Sequence, residues 1–119
     1  MEKWQTALSL RIGLFKRTVR FDYEWKAWLL AYDLCGVGPD EFAKLDFDRQ
    51  INSLSYGAAQ WHQMKKGKAV RFGYEDLRQA LLKASKADNQ KLIDAMSYAK
   101  FPKWLQDGTP EGTKKNENP

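Results

Sequence analysis

Apolar and polar residues alternate along the beginning of the chain. In residues 8–14 every second side chain is apolar, which is the period of a β-strand with one buried face. Gly13 and the basic pair at 16–17 favour a turn, and residues 18–21 resume the alternation as a returning strand. The pattern therefore predicts a short β-hairpin. A ragged helix over residues 3–12 is the alternative that residue propensity alone allows.

The segment after the hairpin predicts a helix over residues 23–35, with Asp22 as its N-cap and Gly36 as a left-handed C-cap. At 100° per residue, this helix has two apolar faces. The first face comprises Tyr23, Ala27, Leu30 and Leu34, and the second comprises Trp25, Trp28, Leu29 and Tyr32. A helix that is apolar nearly all round is buried on most sides, so we expect it to be the central element of the fold.

A long amphipathic helix is the clearest periodic pattern in the chain. It is predicted over residues 47–66, after a short helix within residues 36–46 that Pro39 opens. Its apolar stripe, with spacings of four and three residues, is formed by Phe47, Ile51, Leu54, Ala58 and Trp61. Gly57 interrupts the helix at a cost of about 1 kcal/mol relative to Ala, which indicates that another backbone approaches it closely.

The last part of the chain predicts two more helices and a tail. A basic loop at 66–73 leads into a helix over residues 74–85, and a bend at 88–89 precedes a helix over residues 89–100. Residues 106–119 contain few apolar side chains and many polar, Gly and Pro residues, so this segment is disordered by composition.

Length and composition place these elements in one domain. A chain of 119 residues suits a single core. Its five Trp, five Tyr and six Phe exclude a chain that is disordered throughout. We therefore predict a mainly α (α+β) domain over residues 1–105, with four to five helices and a small N-terminal β-hairpin. A disordered C-terminal tail follows at 106–119.

The sequence also limits the cellular setting. Cys35 is the single cysteine, so no internal disulfide forms and nothing indicates an oxidising compartment. No apolar run approaches the length of about 20 residues that a membrane span needs. The apolar stretch at 7–15 is broken by Arg11 and lacks the cleavage pattern of a signal peptide. We expect a cytoplasmic protein without membrane association.

Residues that carry out chemistry are few. His62 is the single histidine and has no Ser–Asp or Cys partner at a local spacing, which favours a surface or boundary position. Cys35 lies at the end of a predicted helix, where a small core residue is expected rather than a reactive thiolate. Three pairs of acidic residues, at 22/24, 40/41 and 46/48, lie at predicted helix starts, where helix capping explains their presence. We predict no catalytic residue, no cofactor and no metal, and a protein that is not an enzyme.

Basic residues exceed acidic residues by 20 to 15, and the excess forms two clusters. The first lies in the predicted hairpin and the second follows the long helix; they comprise Arg11, Lys16, Arg17 and Arg20, and Lys65, Lys66, Lys68 and Arg71. Placed side by side by the fold, the clusters suit phosphates or an acidic partner. Solvated cations that complement a helix end are the alternative, and nucleic acid is not the partner that we expect.

The second face of the central helix has two interpretations. Either the hairpin covers these aromatic side chains, or part of the face binds a partner protein or a second copy of the chain. The candidate contact residues are Trp25, Trp28, Tyr32 and Tyr56. Tyr56 belongs with them because it lies opposite the core stripe of its own helix.

The segments between residues 8 and 98 follow one another in a distinctive order. VRFDYEWKAWLLAYDLCGV leads from an extended pair into a helix ended by Gly, and PDEFAKLD follows as a short acidic helix. INSLSYGAAQW is a helix rich in small residues, and VRFGYEDLRQALLKA opens a later helix after a loop. This pattern and order resemble the tail assembly chaperones of long-tailed bacteriophages and related prophage elements.

The resemblance implies a non-enzymatic function. Such chaperones bind the tape-measure protein in the cytoplasm of the bacterial host, keep it soluble while tail-tube protein assembles around it, and are absent from the mature virion. The charge of +5 is a departure that the family pattern does not explain. Two alternatives remain open. One is a small basic nucleic-acid-binding or regulatory protein, and the other is a structural tail or head-completion subunit.

Overall fold

The computed structural model describes residues 1–102 and begins with an antiparallel hairpin. Strand β1 (Gln5–Ile12) pairs with strand β2 (Phe15–Asp22) in a register that sets Leu8 opposite Val19. The predicted hairpin is confirmed, but its turn is shorter than expected. Gly13, with φ of 68°, and Leu14 alone separate the strands, so the basic pair at 16–17 belongs to β2.

Five helices follow the hairpin in the described residues. They are α1 (Trp25–Cys35), α2 (Pro39–Phe42), α3 (Phe47–Met64), α4 (Tyr74–Leu82) and α5 (Lys86–Ser97). The predicted mainly α (α+β) class, with a small N-terminal hairpin, is therefore confirmed. The boundary predicted at 105/106 and the tail at 106–119 lie outside the described residues.

Helix α1 begins later than the sequence predicts, and Asp22 is not its cap. Glu24 occupies the N-cap position in extended conformation, and Asp22 is instead the buried last residue of β2. The expectation fails because Tyr23 is still tied to the N-terminal segment, its backbone N–H donating to the carbonyl of Trp4 at 2.9 Å. Gly36 is the predicted left-handed C-cap, with φ of 68°.

The later helices also shift relative to the pattern. Helix α4 ends at Leu82, three residues early, and the predicted bend at 88–89 lies inside α5. Ser85 explains the shift, because its Oγ accepts the backbone N–H of Asp88 at 3.0 Å and so begins α5 ahead of that position.

The closest helix packing joins α1 to α3. A Cβ atom added at Gly57 would lie against the backbone carbonyl oxygen of Ala27 and 3.4 Å from the backbone nitrogen of Ala31. Both alanines are fully buried. The expectation that Gly57 admits another backbone is confirmed, and the small side chains of α3 form the contact.

This packing changes which residues of the two helices are buried. The buried residues of α3 are Ser53, Leu54, Ser55, Gly57, Ala58 and Ala59. The prediction that Phe47 belongs to the core stripe is wrong. Its side chain is 66% exposed, because Phe47 occupies the first position of α3. Leu34, predicted on the first face of α1, is likewise exposed. Where the backbones of α1 and α3 approach most closely, the residues in contact are Gly57, Ala27 and Ala31.

The helices cover one face of the hairpin. Leu8, Leu10 and Ile12 of β1 and Val19 and Phe21 of β2 are buried on that face, beneath α3, α4 and α5. A second backbone link closes the described chain, since Lys100 accepts from the N–H of Trp25 and donates to the carbonyl of Tyr23, at 2.9 and 3.0 Å. None of the helices in residues 1–102 has the length and apolar character that a membrane span requires.

Candidate functional site

The aromatic residues predicted to contact a partner are partly buried and engaged within the chain. The Trp28 ring lies 6.5 Å from the ring of Tyr23 and 5.2 Å from that of Phe101, centre to centre. The Tyr32 ring meets Phe42 edge-on at 5.3 Å. Trp25 is also half-buried. Part of the aromatic face is therefore covered, by Tyr23 and Phe101 at Trp28 and by Phe42 at Tyr32.

Tyr56 is held in a separate aromatic cluster. Its hydroxyl donates to the backbone carbonyl of Phe72 at 2.9 Å, and its ring packs edge-on against Phe72 and Tyr74 at 6.2 and 6.1 Å. Tyr56 thus fastens the segment before α4 to α3. The expectation that it lies opposite the core is wrong, because its half-buried ring packs against the hydrophobic core.

The open part of the aromatic face lies where α1 meets α2. Leu29 is 43% exposed and lines a shallow groove of about 490 Å³ together with Tyr32 and Val37. Asp33 and Glu41 line the same groove, and both are exposed. We call this the α1–α2 groove: a small apolar surface with acidic side chains at its border.

A buried polar cluster joins β2 to α3. Asp22, only 2% exposed, accepts from Lys65 Nζ at 2.8 Å, and its carboxylate lies 3.0 Å from both His62 Nδ1 and Gln5 Nε2. Lys65 also binds Glu24, which accepts from Trp61 Nε1 at 2.9 Å. His62 and Lys65 reach Asp22 together because they are three residues apart on one face of α3.

These contacts determine the charge state of the cluster. Burial alone raises the pKa of the Asp22 carboxyl, but the hydrogen bonds from Lys65, His62 and Gln5 outweigh burial and hold its pKa below the ordinary value. Burial alone lowers the pKa of Lys65, and its bonds to Asp22 and Glu24 reverse that effect, so its pKa is raised. Asp22 and Lys65 therefore form a charged pair at neutral pH.

His62 differs from its sequence-based interpretation in one respect. Its side chain is 12% exposed and lies near the surface boundary, as expected. However, it contacts a carboxylate, that of Asp22, although no acidic partner lies near it in the sequence. Its Nε2 is buried and has no hydrogen-bond partner among the described residues. Local spacing gave no signal for this pair, because Asp22 lies forty residues away in the chain.

Cys35 is half-buried rather than a core residue. Its thiol lies 3.2 Å from Ser53 Oγ, across the contact between α1 and α3. Within residues 1–102, no group of three or more His, Cys, Asp or Glu side chains is arranged to hold a metal ion.

Half of the residues in the two basic clusters meet in one place. Arg17 and Arg20 of β2 and Lys68 and Arg71 of the loop after α3 line a groove of about 590 Å³. Its apolar walls include Val19, Ala59, Val70 and Phe72. We call this the basic groove. The fold thus brings together two clusters that are about fifty residues apart in sequence.

The other four cluster residues lie elsewhere. Arg11 and Lys16 line a second groove, whose walls also include Asp76 and Asp88. Lys65 forms ion pairs with Asp22 and Glu24. Lys66 is exposed beyond the end of α3. Of the eight cluster residues, only four therefore line the basic groove.

Comparison with known proteins adds no relative: no protein-family model, curated protein or solved structure matches the chain.

Proposed function

We propose that the chain is a non-enzymatic, protein-binding chaperone of phage or prophage tail assembly. It binds the tape-measure protein in the host cytoplasm and keeps it soluble while tail-tube protein assembles around it. The proposal is supported by the order of a strand pair, a Gly-capped helix, a short acidic helix and a helix rich in small residues. This is the order in which the sequence resembles such chaperones.

The α1–α2 groove is the observation that carries the proposal. It leaves Leu29 and part of Tyr32 on the surface of the aromatic face. An amphipathic helix fits such a surface by laying its apolar stripe into the groove. The acidic border formed by Asp33 and Glu41 favours a helix whose stripe is flanked by Lys or Arg.

Co-expression with the protein that is encoded next to this chain tests the proposal, which requires that neighbouring protein to be long and helical. The wild-type chain is expected to co-purify with that protein and to raise its soluble fraction. Leu29→Lys places a cation at the centre of the apolar surface and is expected to reduce co-purification about tenfold, since anchor residues at an interface centre dominate binding.

Leu82→Lys is the matched control. Leu82 is 65% exposed on α4, away from the α1–α2 groove, so the same change there is expected to leave co-purification intact. Equal losses in the two variants, or failure of the wild-type chain to bind or solubilise the neighbouring protein, would overturn the proposal. Recovery of the chain from purified virions would indicate a structural tail or head-completion subunit instead.

A further inference from the structure

The basic groove carries charge that nothing in the described chain neutralises. No ion pair within residues 1–102 involves Arg17, Arg20, Lys68 or Arg71, and none of the described residues that line the groove is acidic. Across the hairpin, Arg17 faces Leu10 and Arg20 faces Ala7, so neither arginine has an acidic partner on β1. Four like charges without counter-charges attract an anionic partner.

The backbone beside the groove is also unpaired. The sheet has two strands, and among the described residues no backbone hydrogen bond joins β2 to any segment other than β1. The groove follows the outer edge of β2 over residues 17–20. An open strand edge offers alternating N–H and C=O groups to an added strand.

The floor of the groove distinguishes among anionic partners. Val19 and Ala59 are buried there, while Val70 and Phe72 are half-buried, which suits apolar side chains. Phe72 is the single aromatic residue among the described lining residues, and its ring is packed against Tyr56. Single-stranded nucleic acid prefers exposed aromatic platforms on which its bases stack.

We propose that the basic groove binds an extended acidic segment of a partner protein, which adds a third strand to the outer edge of β2. Alternate side chains of an added strand point to opposite faces. Arg20 lies on one face of β2, and Val19 and Arg17 lie on the other. Acidic side chains at alternate positions of the added strand lie on the face of Arg20, and the apolar side chains between them lie on the face of Val19. This groove and the α1–α2 groove lie on different elements, so either binds its partner without the other.

A fluorescent peptide of alternating Glu and Val tests the proposal by anisotropy titration at low salt. The wild-type chain is expected to bind it and not the matched peptide of alternating Lys and Val. Arg20→Glu combined with Arg71→Glu is expected to weaken binding at least about tenfold, because attraction becomes like-charge repulsion. Lys86→Glu combined with Lys91→Glu makes the same charge change on α5, and binding is expected to stay within about twofold.

N-methylated peptides test the added strand. Methylation of every second peptide nitrogen removes the donors on one edge of the peptide. Methylation of one edge is expected to abolish binding, and methylation of the other edge is expected to preserve it. Equal effects of the two methylated sets, or equal losses in the Arg20/Arg71 and Lys86/Lys91 variants, would overturn the proposal. So would tighter binding of a short oligothymidine than of the acidic peptide, which would make the groove a nucleic-acid site.

Discussion

Asp22 is a carboxylate buried between the hairpin and α3, and three side chains hydrogen-bond to it. Such a group stabilises a fold only while its partners are in place, because an unpaired buried charge is strongly unfavourable. Lys65 is itself about one-third exposed, so water screens part of its attraction to Asp22. The main effect of the cluster is therefore to hold β2 and α3 in one relative position, and its net contribution to the free energy of unfolding is smaller.

Asp22→Asn is expected to lower the free energy of unfolding at neutral pH by about 2 kcal/mol, since the charge that Lys65 and His62 contact is lost. The pKa of Asp22 is lowered in the folded chain, so its contribution is present above the unfolded value of about 4 and is lost as the pH falls through the folded value. The gap between wild type and variant should narrow in acid. Urea unfolding at several pH values measures it.

Asp33→Asn is the control for this experiment. Asp33 is exposed on α1, and its replacement should change the free energy of unfolding by no more than about 0.5 kcal/mol. A gap for Asp22→Asn that persists undiminished in strong acid would mean that the loss arises from packing rather than from charge.

Asp22 also illustrates what a sequence reveals about a single residue. A carboxylate ahead of a helix reads as a cap, because capping depends only on neighbouring backbone. Its actual partners, Gln5, His62 and Lys65, come from two other elements and leave no mark on local spacing. Gly57 was predictable for the opposite reason, since glycine within a helix is itself unfavourable and indicates a local cause.

At the scale of elements, the contact between α1 and α3 depends on the absence of side chains. Gly57 faces the backbone of α1 at Ala27 and Ala31, so the two helices meet along their main chains. The periodic stripe of α3 located the helix, but its largest members lie beside the buried face rather than on it. Periodicity identifies an apolar side, whereas the distance between helices decides whether large or small residues fill it.

Gly57→Ala is expected to lower the free energy of unfolding by about 2 kcal/mol, although Ala favours the helix by about 1 kcal/mol, because the added Cβ forces α1 and α3 apart. Thermal or urea unfolding followed by circular dichroism measures the change. Gly38→Ala serves as the control, since a Cβ there meets open space, and its cost should stay below about 1 kcal/mol. A neutral or stabilising Gly57→Ala would contradict the close approach.

At the scale of the whole molecule, packing is uneven. Helix α3 contacts both α1 and β2, whereas α5 packs mainly against β1 through Leu92 and Ala95. Regions with fewer buried contacts open at lower free energy than the core. The hairpin, α1 and α3 therefore form the most cooperative unit of the described chain.

Native-state hydrogen exchange is expected to resolve this difference. Amides of α1 and α3 should exchange only through global unfolding, and amides of α5 through an opening of lower free energy. Ser85→Ala removes the cap on Asp88 and should lower the opening free energy of α5 by about 1 kcal/mol without altering α1. A single exchange free energy for all protected amides would contradict the prediction.

The arrangement of the basic residues shows the limit of sequence reasoning at this scale. The two clusters were visible as local excesses of Lys and Arg, but their alignment depended on which strand edge the loop after α3 would face. Four of the eight residues meet in the basic groove, and Arg11 and Lys16 diverge because they lie nearer the turn. The number of basic residues in each cluster does not indicate which of them line the same groove.

The backbone link between Lys100 and the residues around Glu24 has a consequence for the order of folding. It joins a segment near the start of the described chain to one near its end, so it closes a very long loop. During synthesis the hairpin, α1 and α3 emerge from the ribosome well before residue 100 does. The nascent chain therefore contains both α1 and α3 before Lys100 is able to bond to Tyr23 and Trp25. Contacts of such long sequence separation slow the final step of folding.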